Sequence, residues 1–282
     1  MSAFRLIGAV VTFLIVSDAA SAQMFTGDLN LVPANSNLVV SGNLNGPLGT
    51  TNYAQQGTGG VSLTTSYTGN INVILNLSSN TIQFTNVTLS TANNSGNWIP
   101  QAGGVAGSAP ANYGVHIPYA FNTIPIDAAL RTLTFTITSA PLTLTGGGAS
   151  RTFPPTQTFL ANTGALDFLA SLGAGSSSMA GNTGNNVSAS TGTLTLLGGS
   201  SFQLSFPIDM TIVEAFTVTG FGNFTATTRF QGTFLSSGTL TAVPEPATYA
   251  LIGASLIMGV YIYHRRRCHW QRMNDTSVSA NG

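Results

Sequence analysis

The sequence predicts an all-β protein, an antiparallel and jelly-roll-like β-sandwich, with an N-terminal signal peptide and a C-terminal single transmembrane helix. Three observations carry that prediction. Apolar residues recur with period two through much of the chain, clusters of Gly, Asn and Ser separate the periodic runs, and an uncharged apolar run lies near each end.

At the N-terminus, Arg5 precedes the apolar run 6–16, and Ala20 and Ala22 supply the small residues that signal peptidase requires ahead of Gln23. Residues 1–22 therefore read as a cleavable secretory signal, and the exported body runs from 23 to 243.

Within the body, Ile71, Val73, Leu75 and Leu77 point one way along one strand, and Leu133, Phe135 and Ile137 alternate with threonines along another. Ile82 and Phe84 fall out of phase with Val87 and Leu89, which predicts a bulge near Asn86. Phe202, Leu204, Phe206, Ile208, Met210 and Ile212 share a face, and Pro207 on the opposite face predicts an edge or a bend there. Gly220 to Asn223 reads as a turn ahead of a last strand. Threonine suits the solvent side of a pleated surface, and roughly eight to twelve strands fit the body. The segment 163–172 reads as a short helix capped by Thr163, and 173–192 as a flexible loop.

Charge excludes one class of function. Charged residues make up 6% of the chain, far below the roughly 25% of ordinary soluble domains. Between residues 23 and 243, Arg131, Arg151 and Arg229 stand against Asp28, Asp127, Asp167, Asp209 and Glu214. Three scattered arginines cannot displace the counterions of a nucleic acid, so no nucleic-acid partner is expected. With 43% hydrophobic residues the body has enough apolar surface to fold. Its stability must come from that core, since the chain's one cysteine, Cys268, lies outside it.

Catalytic patterns are thin. His116 is the one histidine between residues 23 and 243, so neither a paired-histidine metal site nor a cofactor site is expected. Asp209 and Glu214 stand five positions apart, which puts them on opposite faces of a regular strand and unfit for paired-carboxylate chemistry. Trp98, Tyr113, His116 and Tyr119 fall in a short Gly- and Pro-rich stretch and form a candidate platform for sugar rings, against the plainer reading that they pack a loop onto the core.

The C-terminal run 247–263 holds 17 residues without a charge, roughly 25 Å of helix, near the short limit for a membrane span. Tyr261 and Tyr263 sit where an aromatic belt belongs, and Arg265, Arg266 and Arg267 fix the cytoplasmic side, leaving 268–282 as a cytoplasmic tail. Pro244 and Pro246 around Glu245 force an extended stretch ahead of the helix.

That order of Pro-Glu-Pro at 244–246, a short hydrophobic helix and an arginine cluster resembles the PEP-CTERM sorting signal, here spanning 244–267. The resemblance implies an exosortase-type processing enzyme as partner, a stay at the membrane, and cutting near Pro244, Glu245 and Pro246. It further implies an exported protein of the cell surface or of an exopolysaccharide matrix, with biofilm as its setting. The sequence is read as a non-enzymatic structural protein of that kind. The alternatives are a carbohydrate-binding module acting on exopolysaccharide and, behind it, a secreted hydrolase.

Overall fold

Period two becomes strand throughout the body of the computed structural model, which describes residues 24–57, 60, 63–91, 96–219, 221–244 and 253–265. In chain order the first strands are β1 (Met24–Leu31), β2 (Asn37–Gly46), β3 (Gly49–Asn52), β4 (Ala54–Gln55), β5 (Leu63–Asn76), β6 (Thr81–Thr91) and β7 (Gly96–Trp98). Next come β8 (Ala109–Ala111), β9 (Tyr113–Pro118), β10 (Ile124–Thr138), β11 (Leu142–Thr143), β12 (Ser150–Phe153) and β13 (Thr158–Ala170). The last are β14 (Gly173–Ser178), β15 (Thr183–Asn185), β16 (Gly192–Gly198), β17 (Ser201–Val218), β18 (Gly222–Thr239) and β19 (Thr241–Val243). The expected signal peptide, with Ala20, Ala22 and Gln23, lies outside the described residues.

The all-β prediction holds, and the pairings are antiparallel, but the two open sheets of a sandwich are replaced by a sheet that closes on itself. A continuous circuit runs β17–β18–β1–β5–β6–β11, crosses the Thr145–Thr152 bridge to β12, and returns through β16 to β17. Further along the same strands, β18 passes to β2, β2 to β5, β6 to β10 and β10 to β13. Strand length explains the difference. β17 and β18 pair over 18 residues each, and a twisted antiparallel ribbon of that length coils until its outer strands meet. Strands within the circuit have a neighbour on each side, while β3 and β14, outside it, each pair along one edge among the described residues.

The alternating apolar face fills the interior. Phe153, Phe84, Phe206, Phe234, Tyr67, Phe135 and Phe159 touch in an unbroken series of ring contacts, with centroids 5.3–6.4 Å apart, and Phe230 joins it at Phe135. These rings are buried, and burial of each such side chain contributes on the order of 2–3 kcal/mol. Ile71, Val73, Leu75, Leu133, Ile137 and the six-residue stripe of β17 face the same core.

The irregularities fall where phase is lost. Asn72 pairs with Asn86 and Val73 with Phe84, so Thr85 is the extra residue of a bulge beside Asn86, as the sequence predicts. Pro207 is not on an edge strand. Its missing N–H faces the gap where β16 ends, and there the Asn186 side chain takes over, donating to Pro207 O and accepting from Asp209 N–H. The turn expected at 220–223 falls earlier: Val218 pairs with Gly222 and Thr217 with Asn223, so the last two residues of that stretch already belong to β18, and Gly220 lies outside the described residues.

Two expectations fail. Residues 163–170 are strand, not helix: Ala165 to Ala170 pair residue by residue with β10 and with β14. Residues 173–192 are not a loop throughout, because Gly173–Ser178 and Thr183–Asn185 both add strands beside β13. Local helix propensity there is weaker than the ladder offered on both sides.

The β2–β3, β9–β10, β13–β14 and β17–β18 hairpins turn at one end of the barrel. A Cβ on Gly222 would lie 2.9 Å from Pro47 and one on Gly173 3.5 Å from Val218, while Leu48 N–H donates to the Tyr119 hydroxyl at 2.7 Å. Phe25 and the end of β18 lie at the other end, where the Phe25 ring meets Phe202 at 5.4 Å and Thr239 pairs with Ser201.

Candidate functional site

The four residues of the expected sugar platform separate. Tyr113 and Tyr119 are 2% and 0% exposed and belong to the core. The Tyr119 ring packs on Phe224 at 5.6 Å, and burial drives the Tyr113 hydroxyl well above the usual tyrosine range although Thr228 bonds to it. His116 stays at the surface of β9, with Nδ1 3.0 Å from Asp127 Oδ1 on the adjacent β10. Trp98 sits over Gly114, where a Cβ would come 2.5 Å from its own Cβ. No shared aromatic face is left, because every second residue of β9 is committed to the interior.

On the outer face of β17, β18, β2 and β3 the structure brings together a polar group that period alone does not announce. Arg229 Nε and Nη2 donate to the two oxygens of Asp209 at 2.8 and 2.6 Å, and Gln231 adds a third donor at 3.2 Å. These bonds, the Arg229 pair first, hold the Asp209 carboxyl below its ordinary value despite partial burial. Ser41, Asn43, Asn52, Thr211 and Thr227 line the same shallow depression of about 490 Å³. Its hydroxyls and amides share it with Val39 and Tyr53, and Arg229 borders it with its charge paired to Asp209. The sequence signal for it is the run of polar residues at odd positions of β17, β18 and β2.

The remaining carboxylates serve the fold. Glu214 lies on the buried face, opposite in sense to Asp209 as predicted, and accepts from Ser177 Oγ at 2.5 Å and from Asn182 Nδ2. Asp167 accepts from Arg131 Nη1 at 2.6 Å and from Gly103 N–H at 2.9 Å, and Arg131 also donates to Pro100 O. That pair ties the excursion holding β7 and β8 to the barrel wall. The sequence signal for it is the loss of phase at Leu130–Leu133, where the β10–β13 register shifts. Among the described residues no three His, Cys, Asp or Glu side chains lie close enough together to hold a metal ion.

Of the expected sorting signal, Pro244 is described and exposed, while Glu245, Pro246, Arg266 and Arg267 lie outside the described residues. Of the expected span, 253–263 is helical, and the helix continues to Arg265. Leu256, Ile257, Met258, Val260, Tyr261 and Tyr263 on it are all exposed. No helix among the described residues is long and apolar enough to cross a membrane, so the single transmembrane helix is not part of the observed fold. No protein-family model, curated protein or solved structure matches the chain.

Proposed function

We propose that the chain is an exported, non-enzymatic protein of the cell surface or extracellular matrix, addressed to the membrane by its tail and processed there. The observation that carries this reading is the helix at 253–265, whose large apolar side chains are exposed to water. An apolar stripe in that state calls for an apolar medium, and the preceding residues 247–252 carry no charge that would stop the helix from extending to the length of a short span. Arg265, Arg266 and Arg267 then hold its cytoplasmic end, and 268–282 follows on that side. In this reading signal peptidase removes 1–22, and an exosortase-type enzyme reads Pro244, Glu245 and Pro246 in the extended stretch that two prolines enforce.

The body supports a structural role through how it uses its few ionisable groups. Each of its five carboxylates is engaged by a neighbour, Asp28 by Asn72 and the others as described. Mass spectrometry of the mature C-terminus tests the proposal. Loss of the Cys268-containing end in wild type, with retention of it when Pro244, Glu245 and Pro246 are all replaced by Ala, is the expected result. Both forms still ending at Gly282 and fractionating alike would refute it.

A second reading, contact with exopolysaccharide, is favoured by the groove around Asn43, Asn52 and Gln231, whose amides and hydroxyls suit a neutral sugar chain. Calorimetry with the producer's own polysaccharide tests it, the double change Asn43→Ala and Asn52→Ala being expected to abolish the heat.

A further inference from the structure

At the hairpin end of the barrel, Phe121 stands fully in solvent, 103% exposed, in the connection between β9 and β10. Its φ is 56° and that of Ala120 is 50°, a left-handed conformation that Gly, Asn or Asp adopt readily and Phe does not. A strained residue that touches nothing in its own chain points to something outside it. The surroundings agree. Leu48 and Leu172 are exposed on the neighbouring hairpin tips, and Phe221 edges an apolar dish formed with Ile124, Phe168, Phe216 and Phe224.

We propose that this end is a docking surface for a second copy of the chain, each Phe121 lying in the dish of the other. The dish encloses only about 20 Å³, room for one water, so it receives the face of a ring and not a small apolar ligand. Two-fold pairing brings a patch against itself, and a patch holding both a projecting ring and an apolar recess is complementary to itself. The four tips, 45–50, 118–124, 170–174 and 217–223, contain no ionisable side chain apart from the buried Tyr119, so nothing repels a like surface. They also hold no Lys, Arg or Trp, the residues that settle a protein at lipid headgroups, which favours a second copy over a bilayer.

Sedimentation velocity of the full chain in mild detergent tests this with Phe121→Asn, a residue that tolerates the left-handed region. Wild type should form dimers, and the variant should dissociate at least about tenfold more readily, roughly 1.4 kcal/mol, with its thermal midpoint held or raised at dilutions where both are monomeric. The tail is unchanged in the variant, so association that survives the substitution would overturn the proposal, as would a wild type that stays monomeric. A thermal midpoint lowered even at dilutions where both proteins are monomeric would assign Phe121 to the fold and also overturn it. A monomeric wild type that binds phosphatidylcholine vesicles through Phe121 would assign the surface to lipid instead.

Discussion

Replacing Arg131 by Met removes one partner of an ion pair that is almost out of water, the two side chains being 11% and 2% exposed. The guanidinium is Asp167's charged neighbour at 2.6 Å, and only the Gly103 N–H at 2.9 Å remains to the carboxylate once it is gone. Leaving one charge of such a pair buried costs about 3–5 kcal/mol. For a domain of this size each kcal/mol moves the melting midpoint by about 2–4 °C, so the drop should be roughly 6–20 °C. The expected pattern has a second part. Adding Asp167→Leu should recover most of the loss, since an apolar pair of similar volume carries no desolvation cost. Circular-dichroism melts of wild type, single and double variants at neutral pH measure both. A single variant melting within about 2 °C of wild type, or a double variant no better than the single, would refute the reasoning.

High pH should unfold the barrel. Burial pushes the Tyr53 hydroxyl up to about 12, and Tyr67 and Tyr113 move in the same direction, against about 10 in an unfolded chain. Their contribution is complete below pH 10 and is lost as pH climbs through the folded values, at about 1.4 kcal/mol per pH unit for each tyrosine and about 4 for the three. Denaturant midpoints taken between pH 9 and 11.5, with phenolate absorbance alongside, should show ionisation and unfolding together; ordinary titration in an intact fold would count against it. Gly42→Ala should destabilise by about 1–3 kcal/mol, because the new methyl would lie 2.2 Å from Thr227 O and 2.5 Å from the Tyr53 ring. A thermal midpoint equal to wild type would show that the ring can give way. Glu214→Gln should cost about 1–3 kcal/mol, since the new amide places a donor where Ser177 and Asn182 already donate, and chemical denaturation measures it.

The strands of the body were legible because their apolar residues keep strict alternation over many positions, as β17 does from Phe202 to Ile212. Even the bulge beside Asn86 left its mark as a slip in phase. What was not legible depends on partners remote in sequence. The segment 163–170 carries residues that fit a helix, and only the ladder with β10 makes it a strand. Tyr113 and Tyr119 look like surface aromatics in a Pro- and Gly-rich stretch until β9 is seen to turn every second side chain inward. Closure follows from how far β17 and β18 run before the sheet meets itself, a property of length and twist with no motif of its own. The groove at Asp209 joins strands whose alignment, Arg229 opposite both Thr211 and Ser41, is fixed by pairing and not by spacing.

The barrel's last long strand, β18, lies between neighbours on both sides, with β17 along all of it and β2 then β1 along the other edge. A load applied through residue 241 would therefore act along the strand axis and strain many parallel bonds at once, instead of peeling them one by one. Such a load meets the body in shear, the direction in which a ladder yields only by sliding as a whole. Rupture under such a load then depends on the rate of unfolding and not on equilibrium stability.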